Sequence, residues 1–286
     1  VPELRVAIVG AGIGGLTLAH CLRRRGVAFE AVEIEPVFAP VGAGIALGAN
    51  AMAVLRRLGL GDAVEAVGSR IDRAFVTDFR GRVLSQADLA ALAPRFGSSV
   101  ALHRADLSDA LVGGLACAEV RLGVTASAVE DEGEGVRVAW SDGSEGRFDL
   151  VVGADGIGSA VREKAVAPRE RLYSGYTCWR LCVPFDAAAL PGLHVGWEMW
   201  GPGRRFGIGA IGRGLVYCFA VRNAPRGRED PEAGRAARLR EIFEAFAPPV
   251  GAILERTRDA DVHHADIDEL AEGPWRKGRV VLLGDA

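Results

Sequence analysis

The stretch that most limits what this chain can become is its opening, "LRVAIVGAGIGGLTLAHCLRRRGVAFEAVEIEP". An apolar run at 4–9 predicts a buried strand, and the glycine-rich run at 10–15 predicts a tight turn. Residues 16–25 predict a helix, and 27–34 a second strand that holds Glu33 near its end. Gly10 permits the turn, Gly12 lets the backbone approach a pyrophosphate, and Gly15 lets helix and strand pack closely. The start of the helix offers N–H groups and the positive end of its dipole. Glu33 comes about 20 residues beyond the turn, where a carboxylate can accept ribose hydroxyls. A glycine-rich turn alone occurs in many α/β proteins. Strand, turn, helix, second strand and acid in this order predict a dinucleotide site. An acid at that place disfavours a 2′-phosphate, which points to FAD or NAD over NADP.

Composition narrows the rest. The 286 residues allow one large or two modest domains, and 49% apolar residues suffice for a sizeable core. A net charge of −3 with both signs mixed gives no basic surface for nucleic acid. The apolar runs are of strand length, well short of the roughly 20 residues of a membrane helix. Cys21, Cys117, Cys178, Cys182 and Cys218 are scattered without a CxxC pair. That pattern fits reduced thiols in a cytoplasmic protein rather than a disulfide framework. His263 and His264 are adjacent on a predicted strand and so point apart, and no metal site is expected.

Two later stretches bear on the same site. "FDLVVGADGIGSAVRE" (148–163) reads as a buried strand at 150–153, a turn at Asp155-Gly156 and a helix beginning over 159–162. Taken alone, it is a strand-to-helix loop capped by Ser159. The chain closes on "RVVLLGDA", a buried strand followed by Gly284-Asp285.

These three motifs, in this order, resemble the class A flavoprotein monooxygenases, the family of p-hydroxybenzoate hydroxylase. The segments "PVGAGIALGANAMAVLRRLGL", "LHRADL", "YSGYTCWR" and "WGPGRRFGIGAIG" with "VYCFA" look like family segments too, so the resemblance spans essentially the whole chain. It implies an α/β fold, with a Rossmann-like FAD-binding domain interleaved with a mostly antiparallel β-sheet substrate domain. Gly10, Gly12, Gly14 and Gly15 would cradle the FAD pyrophosphate, and Glu33 would hold the adenosine ribose. Gly44 and Arg104 would also reach the cofactor. Asp155 and Gly156 would lie near the pyrophosphate and help to accommodate the nicotinamide nucleotide. Gly284 would lead into Asp285, which would accept from the ribityl chain. NADH or NADPH would reduce the flavin, and dioxygen would then form a flavin hydroperoxide that hydroxylates a small aromatic ring. The family also leads from the Gly-Asp strand into a further glycine-rich segment and a helix. On that reading this sequence is a piece of a longer protein. Where it departs from the family pattern, Ile34 follows the acid, Ala49 precedes Asn50 and Cys218 replaces a frequent tryptophan, the last with a bearing on the substrate cavity.

The expected organisation is an FAD domain in three parts, 1–72, 100–170 and 271–286, with substrate-domain parts at 73–99 and 171–270. A hairpin is expected around Arg80-Gly81, turns at 132–135 and 142–143, and a helix over 231–246. Tyr176, Arg205 and Tyr217 are the candidate substrate contacts. Trp179, Trp197, Trp200, Phe206 and Phe219 are further wall candidates, each also readable as ordinary sheet packing. Arg204-Arg205 are expected to alternate across the sheet, with Arg205 suited to an anionic substrate. No acid-base pair stands out as catalytic, because a flavin carries such chemistry itself. Competing readings are an FAD-dependent epoxidase of an alkene, a reductase that does not activate dioxygen, and an incomplete FAD-binding scaffold without turnover.

Overall fold

The computed structural model describes residues 4–38, 43–115, 119–186, 188, 190 and 194–286; Cys117 and 40–42 of the expected "PVGAG" segment lie outside them. β1 (Arg5–Val9), α1 (Ile13–Arg24) and β2 (Ala28–Glu33) open the chain. β3 (Gly44–Leu47), α2 (Ala49–Arg57), α3 (Gly61–Val67) and β4 (Ser69–Ile71) follow. The hairpin β5 (Arg73–Asp78) and β6 (Val83–Asp88) leads into α4 (Leu89–Phe96), β7 (Ser99–His103) and α5 (Arg104–Gly113). Next come β8 (Val120–Leu122), β9 (Ala126–Asp131), β10 (Val136–Trp140), β11 (Glu145–Phe148) and β12 (Leu150–Gly153). A short π-helical turn (Arg162–Val166) precedes β13 (Arg171–Pro184), β14 (Val195–Gly201), β15 (Arg204–Ala210) and β16 (Leu215–Asn223). α6 (Arg235–Phe243), α7 (Val250–Glu255), β17 (Val262–Leu270), β18 (Arg276–Lys277) and β19 (Val280–Leu282) complete the order.

The chain divides into two compact units, 1–39 with 108–172 and 268–286, and 40–107 with 173–267. In the first, the sheet order is β18-β19-β12-β1-β2-β8, and β19, β12, β1, β2 and β8 run parallel. Val6 to Val9 are all buried, as a parallel strand covered on both faces requires. The expected turns at 132–135 and 142–143 join β9, β10 and β11 into an antiparallel meander. Val136, Val138 and Trp140 face its core at a period of two.

In the second unit the sheet order is β17-β13-β16-β15-β14-β5-β6; β13, β16, β15 and β14 pair antiparallel, β14 and β5 parallel, and β5 and β6 antiparallel. The expected hairpin is present, with Gly81 at φ +89° in its turn. Alternation gives the sheet two faces. Val216, Cys218 and Ala220 of β16 are buried on one, with Leu181, Met199 and Phe206, against α6 and α7. Tyr217 and Phe219 point to the other. Helix α6 buries Ala236, Leu239 and Phe243 on one stripe, and Phe243 meets Phe206 and Phe246 edge-on at 5.3 and 5.1 Å between ring centroids.

Two expectations change. The helix foreseen over 231–246 begins only at Arg235, because Gly234 takes a left-handed φ of +75° and a distant carboxylate caps the turn. Asp259 accepts from the Gly234 N–H at 2.7 Å and the Ala236 N–H at 2.8 Å. The boundaries at 72 and 99 also shift, since 40–72 and 100–107 pack into the second unit. β7 pairs with both β3 and β4, and a Cβ on Gly212 would lie 2.1 Å from the Val67 carbonyl oxygen. That contact ties the α3–β4 corner to the turn between β15 and β16. Among the described residues no helix is long and apolar enough to cross a membrane.

Phe243→Ala is expected to lower the unfolding free energy by about 3–5 kcal/mol. Urea denaturation followed by circular dichroism reads it, and a loss below about 1 kcal/mol would contradict the packing described here.

Candidate active site

In the first unit, the three expected motifs, Glu33 with the first of them, meet at the carboxyl ends of adjacent parallel strands, the edge where open α/β sheets bind ligands. The turn after β1 carries Gly10, Gly12, Gly14 and Gly15, and β2 ends in Glu33. Asp155-Gly156 follows β12, and Gly284-Asp285 follows β19. Gly10 stands at φ +101°, and a Cβ there would lie 2.4 Å from the Ala154 carbonyl oxygen. A Cβ on Gly15 would lie 1.9 Å from the Gly10 carbonyl oxygen, so α1 packs on its own turn at backbone distance. Gly14 brings the helix against Leu283, at 3.5 Å from the Cβ it lacks. This contact sets Gly284-Asp285 beside the glycine turn.

The glycine turn fits a dinucleotide pyrophosphate. Gly12 is the N-cap of α1 in extended conformation, no side chain caps the helix, and its first turn holds no acid. A Cβ on Gly12 would meet nothing within 4 Å, so the N–H groups of the first turn open onto unfilled space. Glu33 spends one lone pair of each oxygen locally, accepting from the Ala11 N–H at 2.8 Å and the Glu35 N–H at 3.1 Å. Each carboxylate oxygen keeps a second acceptor position for a hydroxyl.

Asp155 lies against the glycine turn, its Cα 2.8 Å from a Cβ on Gly10, and its carboxylate is engaged within its own turn. One oxygen accepts from the Ser159 hydroxyl at 2.5 Å, and the other from the N–H groups of Ala160 and Val161 at 2.7 and 3.2 Å. Ser159 in turn caps the Arg162 N–H at 2.9 Å. Both side chains therefore hold the short helical turn together. Arg162 is 1% exposed and donates to the Ile157 carbonyl at 2.9 Å. Asp285 is exposed at the strand end.

Gly44 and Arg104 lie in the second unit. The side chain missing from Gly44 makes room for Tyr217, whose Cγ would lie 2.3 Å from a Cβ there. Arg104 is exposed at the start of α5, which His103 caps by accepting from the Ala105 N–H at 3.2 Å.

The second unit holds a cavity of about 270 Å³ of mostly apolar lining. Its floor follows from the sheet register. Gly196, Gly209 and Tyr217 lie in one row across the strands, and Glu198, Gly207 and Phe219 in the next. Gly209 leaves open space, with nothing within 4 Å of a Cβ there, whereas the Phe219 ring fills the place of a Cβ on Gly207, 2.0 Å away. Ile45, Ile71 and Phe75 add apolar walls, and Ser69, Arg70 and His194 a polar edge. Burial pushes the Tyr217 phenol up to about 12, with Arg180 opposing that shift.

Of the expected wall residues, Trp197, Tyr217 and Phe219 line this cavity. Tyr176 and Arg205 are not among its lining residues; the Arg205 guanidinium stacks over the Tyr176 ring at 5.5 Å and pairs with Glu198 at 3.2 Å. The expected alternation holds, since Arg204 turns the other way and donates to the Ile242 carbonyl. Trp179 is core, stacked on His264 at 5.2 Å between centroids with its N–H donated to Asp230 at 2.9 Å. Phe206 is core as well, and Trp200 is 48% exposed. Cys218 faces the helices in the core, so it does not shape the cavity as its place in "VYCFA" suggested. Sequence reasoning passed over Glu198. Its signal was a lone acid at the apolar centre of "HVGWEMWG".

Comparison with known proteins bears on both units. A family model described as FAD binding domain matches residues 3–286. The chain is 38% identical over 286 residues to aurachin C monooxygenase/isomerase of Stigmatella aurantiaca, covering 99% of this chain and 74% of that one. It is 34% identical over 287 residues to 2-heptyl-3-hydroxy-4(1H)-quinolone synthase of Pseudomonas aeruginosa, again covering 99% and 74%. Among solved structures it is similar to HpxO of Klebsiella pneumoniae complexed with FAD and uric acid. There the TM-score is 0.90 at 30% identity, covering 99% of this chain and 73% of that one.

Two outcomes follow from the geometry. Gly12→Asp is expected to keep the fold, because its Cβ meets nothing, yet to weaken FAD binding at least 100-fold by placing a charge where the pyrophosphate would lie. A flavin fluorescence titration beside a melting curve reads both, and unchanged affinity would remove the pyrophosphate from this turn. In alkaline titration, Tyr217→Phe should match the unsubstituted protein in tyrosinate absorbance up to about pH 10.5, since an ordinary phenol titrates near 10 and Tyr217 later.

Proposed function

This chain belongs to the class A FAD-dependent monooxygenases, and we propose that it hydroxylates a small, largely apolar aromatic ring at the expense of NAD(P)H and dioxygen. The observation that carries the substrate class is the apolar cavity of the second unit. At about 270 Å³ it lies just below the usual span of ligand pockets, roughly 300–1,000 Å³, and suits a molecule of one or two rings.

Gly10, Gly12, Gly14, Gly15 and the first-turn N–H groups of α1 would hold the pyrophosphate of FAD, with Glu33 on the adenosine ribose. Asp285 is the acceptor suited to the ribityl hydroxyls, with Gly284 giving its turn at φ +71°. Gly156, at φ +74°, would let the backbone beside Asp155 approach the cofactor. Gly44 and Arg104 keep their proposed place at the cofactor, Arg104 as an exposed cation for an anionic group. FAD, when bound, would supply the redox chemistry that joins two electrons from NAD(P)H to dioxygen, with one oxygen atom going to the ring and the other to water.

The chain's own share is position, polarity and exclusion of water. The glycine floor admits a flat ring, and Phe219 and Ile71 offer it apolar contact. Tyr217 is a phenol that stays protonated throughout the physiological range, so its hydroxyl can donate to an oxygen on the substrate.

Purified protein reconstituted with FAD is expected to consume dioxygen and NAD(P)H together when a matching aromatic is added, with a hydroxylated product by mass spectrometry. NAD(P)H oxidation that yields only peroxide across phenols, pyridones and quinolones would overturn the hydroxylase reading.

A further inference from the structure

Glu198 sits at the middle of β14, on the sheet face that carries Phe219, and it lines the apolar cavity. Its two carboxylate oxygens are in different situations. Oε1 accepts from the Trp200 indole N–H at 2.8 Å and from Arg205 Nη1 at 3.2 Å. Among the described residues no donor reaches Oε2. The side chain is 27% exposed. Two donors hold Oε1, and the Arg205 guanidinium is itself stacked on Tyr176.

A ring seated against Glu198 shields its carboxylate from solvent. A carboxylate oxygen that loses its water without gaining a donor carries a large desolvation cost. The cavity is therefore selective in a way its apolar walls are not: it favours rings that bring their own donor.

We propose that Glu198 is a specificity-determining residue, whose Oε2 accepts a hydrogen bond from an N–H or O–H borne on the aromatic ring of the substrate. This rests on the hydroxylase reading and deepens it, by naming the class as donor-bearing heteroaromatic or phenolic rings with an otherwise apolar body. Arg205 then acts as a positioning residue, holding the carboxylate rather than meeting an anionic substrate. The same pairing explains why Arg205 is absent from the lining.

The test uses the FAD-loaded protein with two pairs of probes. One is a 4(1H)-quinolone beside its N-methyl derivative; the other is a phenol beside its methyl ether. Dissociation constants come from quenching of tryptophan fluorescence, and KM and kcat from dioxygen uptake. The unsubstituted protein is expected to prefer the donor-bearing member of at least one pair by about 10- to 100-fold. The pair that shows the preference tells N–H from O–H. In Glu198→Gln the preference should collapse to within about threefold, mainly through KM, while Glu198→Asp, with a shorter carboxylate, should recover part of it. A merely structural role would weaken both members of a pair equally, and that result overturns the proposal. So does an unsubstituted protein that binds both members equally, or neither. Loss of the hydroxylase reading shows differently, as probe binding without ring-dependent oxygen transfer for any probe.

Discussion

The first unit depends on one contact, the approach of Gly15 to the carbonyl oxygen of Gly10. A single methyl group at position 15 would stand 1.9 Å from that oxygen. With no side chain there, α1 starts directly on the turn that ends β1, and its N-terminus comes to the carboxyl edge of the sheet. Parallel pairing of β1 with β12, and of β12 with β19, brings two further turns to the same edge. Leu283 then packs under Gly14. The cluster of glycines and acids is thus assembled by backbone proximity, before any side chain contributes chemistry.

Four acids of this protein serve the fold itself. Asp155 ties down three donors of its own turn, and Glu33 holds the N–H groups of Ala11 and Glu35. In the second unit Asp259 caps α6 from a distance, and Asp230 takes Arg235, Arg238 and the Trp179 indole. Hydrogen-bond partners hold the Asp259 and Asp230 carboxyls below their ordinary range, against the opposing pull of desolvation, which is the largest influence on Asp230. Such groups are poor candidates for moving protons near neutral pH. That suits a protein whose cofactor carries the electrons and the oxygen, and whose side chains place and shield the substrate.

Missing side chains also shape the cavity of the second unit. Gly196, Gly207 and Gly209 occupy neighbouring places on β14 and β15, while the adjacent strand offers Tyr217 and Phe219 on the same face. The opposite face is filled in the ordinary way, by Met199, Phe206 and Cys218 against Phe243 and Leu239. One sheet thus carries a packed core and a vacancy on its two sides, and the period of two along β14, β15 and β16 divides the residues between them.

The strand, turn, helix and acid of residues 4–34 were legible from sequence because each is local: chain neighbours alone set the turn geometry, the helix start and the place of Glu33. The β5–β6 hairpin and the meander of β9 to β11 were legible for the same reason. The unit boundaries were not, because the pairing of β7 with β3 and β4 and the seating of Gly212 on Val67 join segments far apart in the chain. Nor was the start of α6, which waits on Asp259, or the core place of Trp179, Phe206 and Cys218, which only the register of β13, β15 and β16 assigns to a face. Glu198 shows the division most plainly. Its sequence reveals an acid in an apolar strand, and that is all local physics can say. Which of its oxygens is occupied depends on Trp200 and on Arg205 across the sheet, and what it faces depends on glycines of the neighbouring strand. A side chain's chemistry is set by its neighbours in space, and those neighbours exist only once the chain has folded.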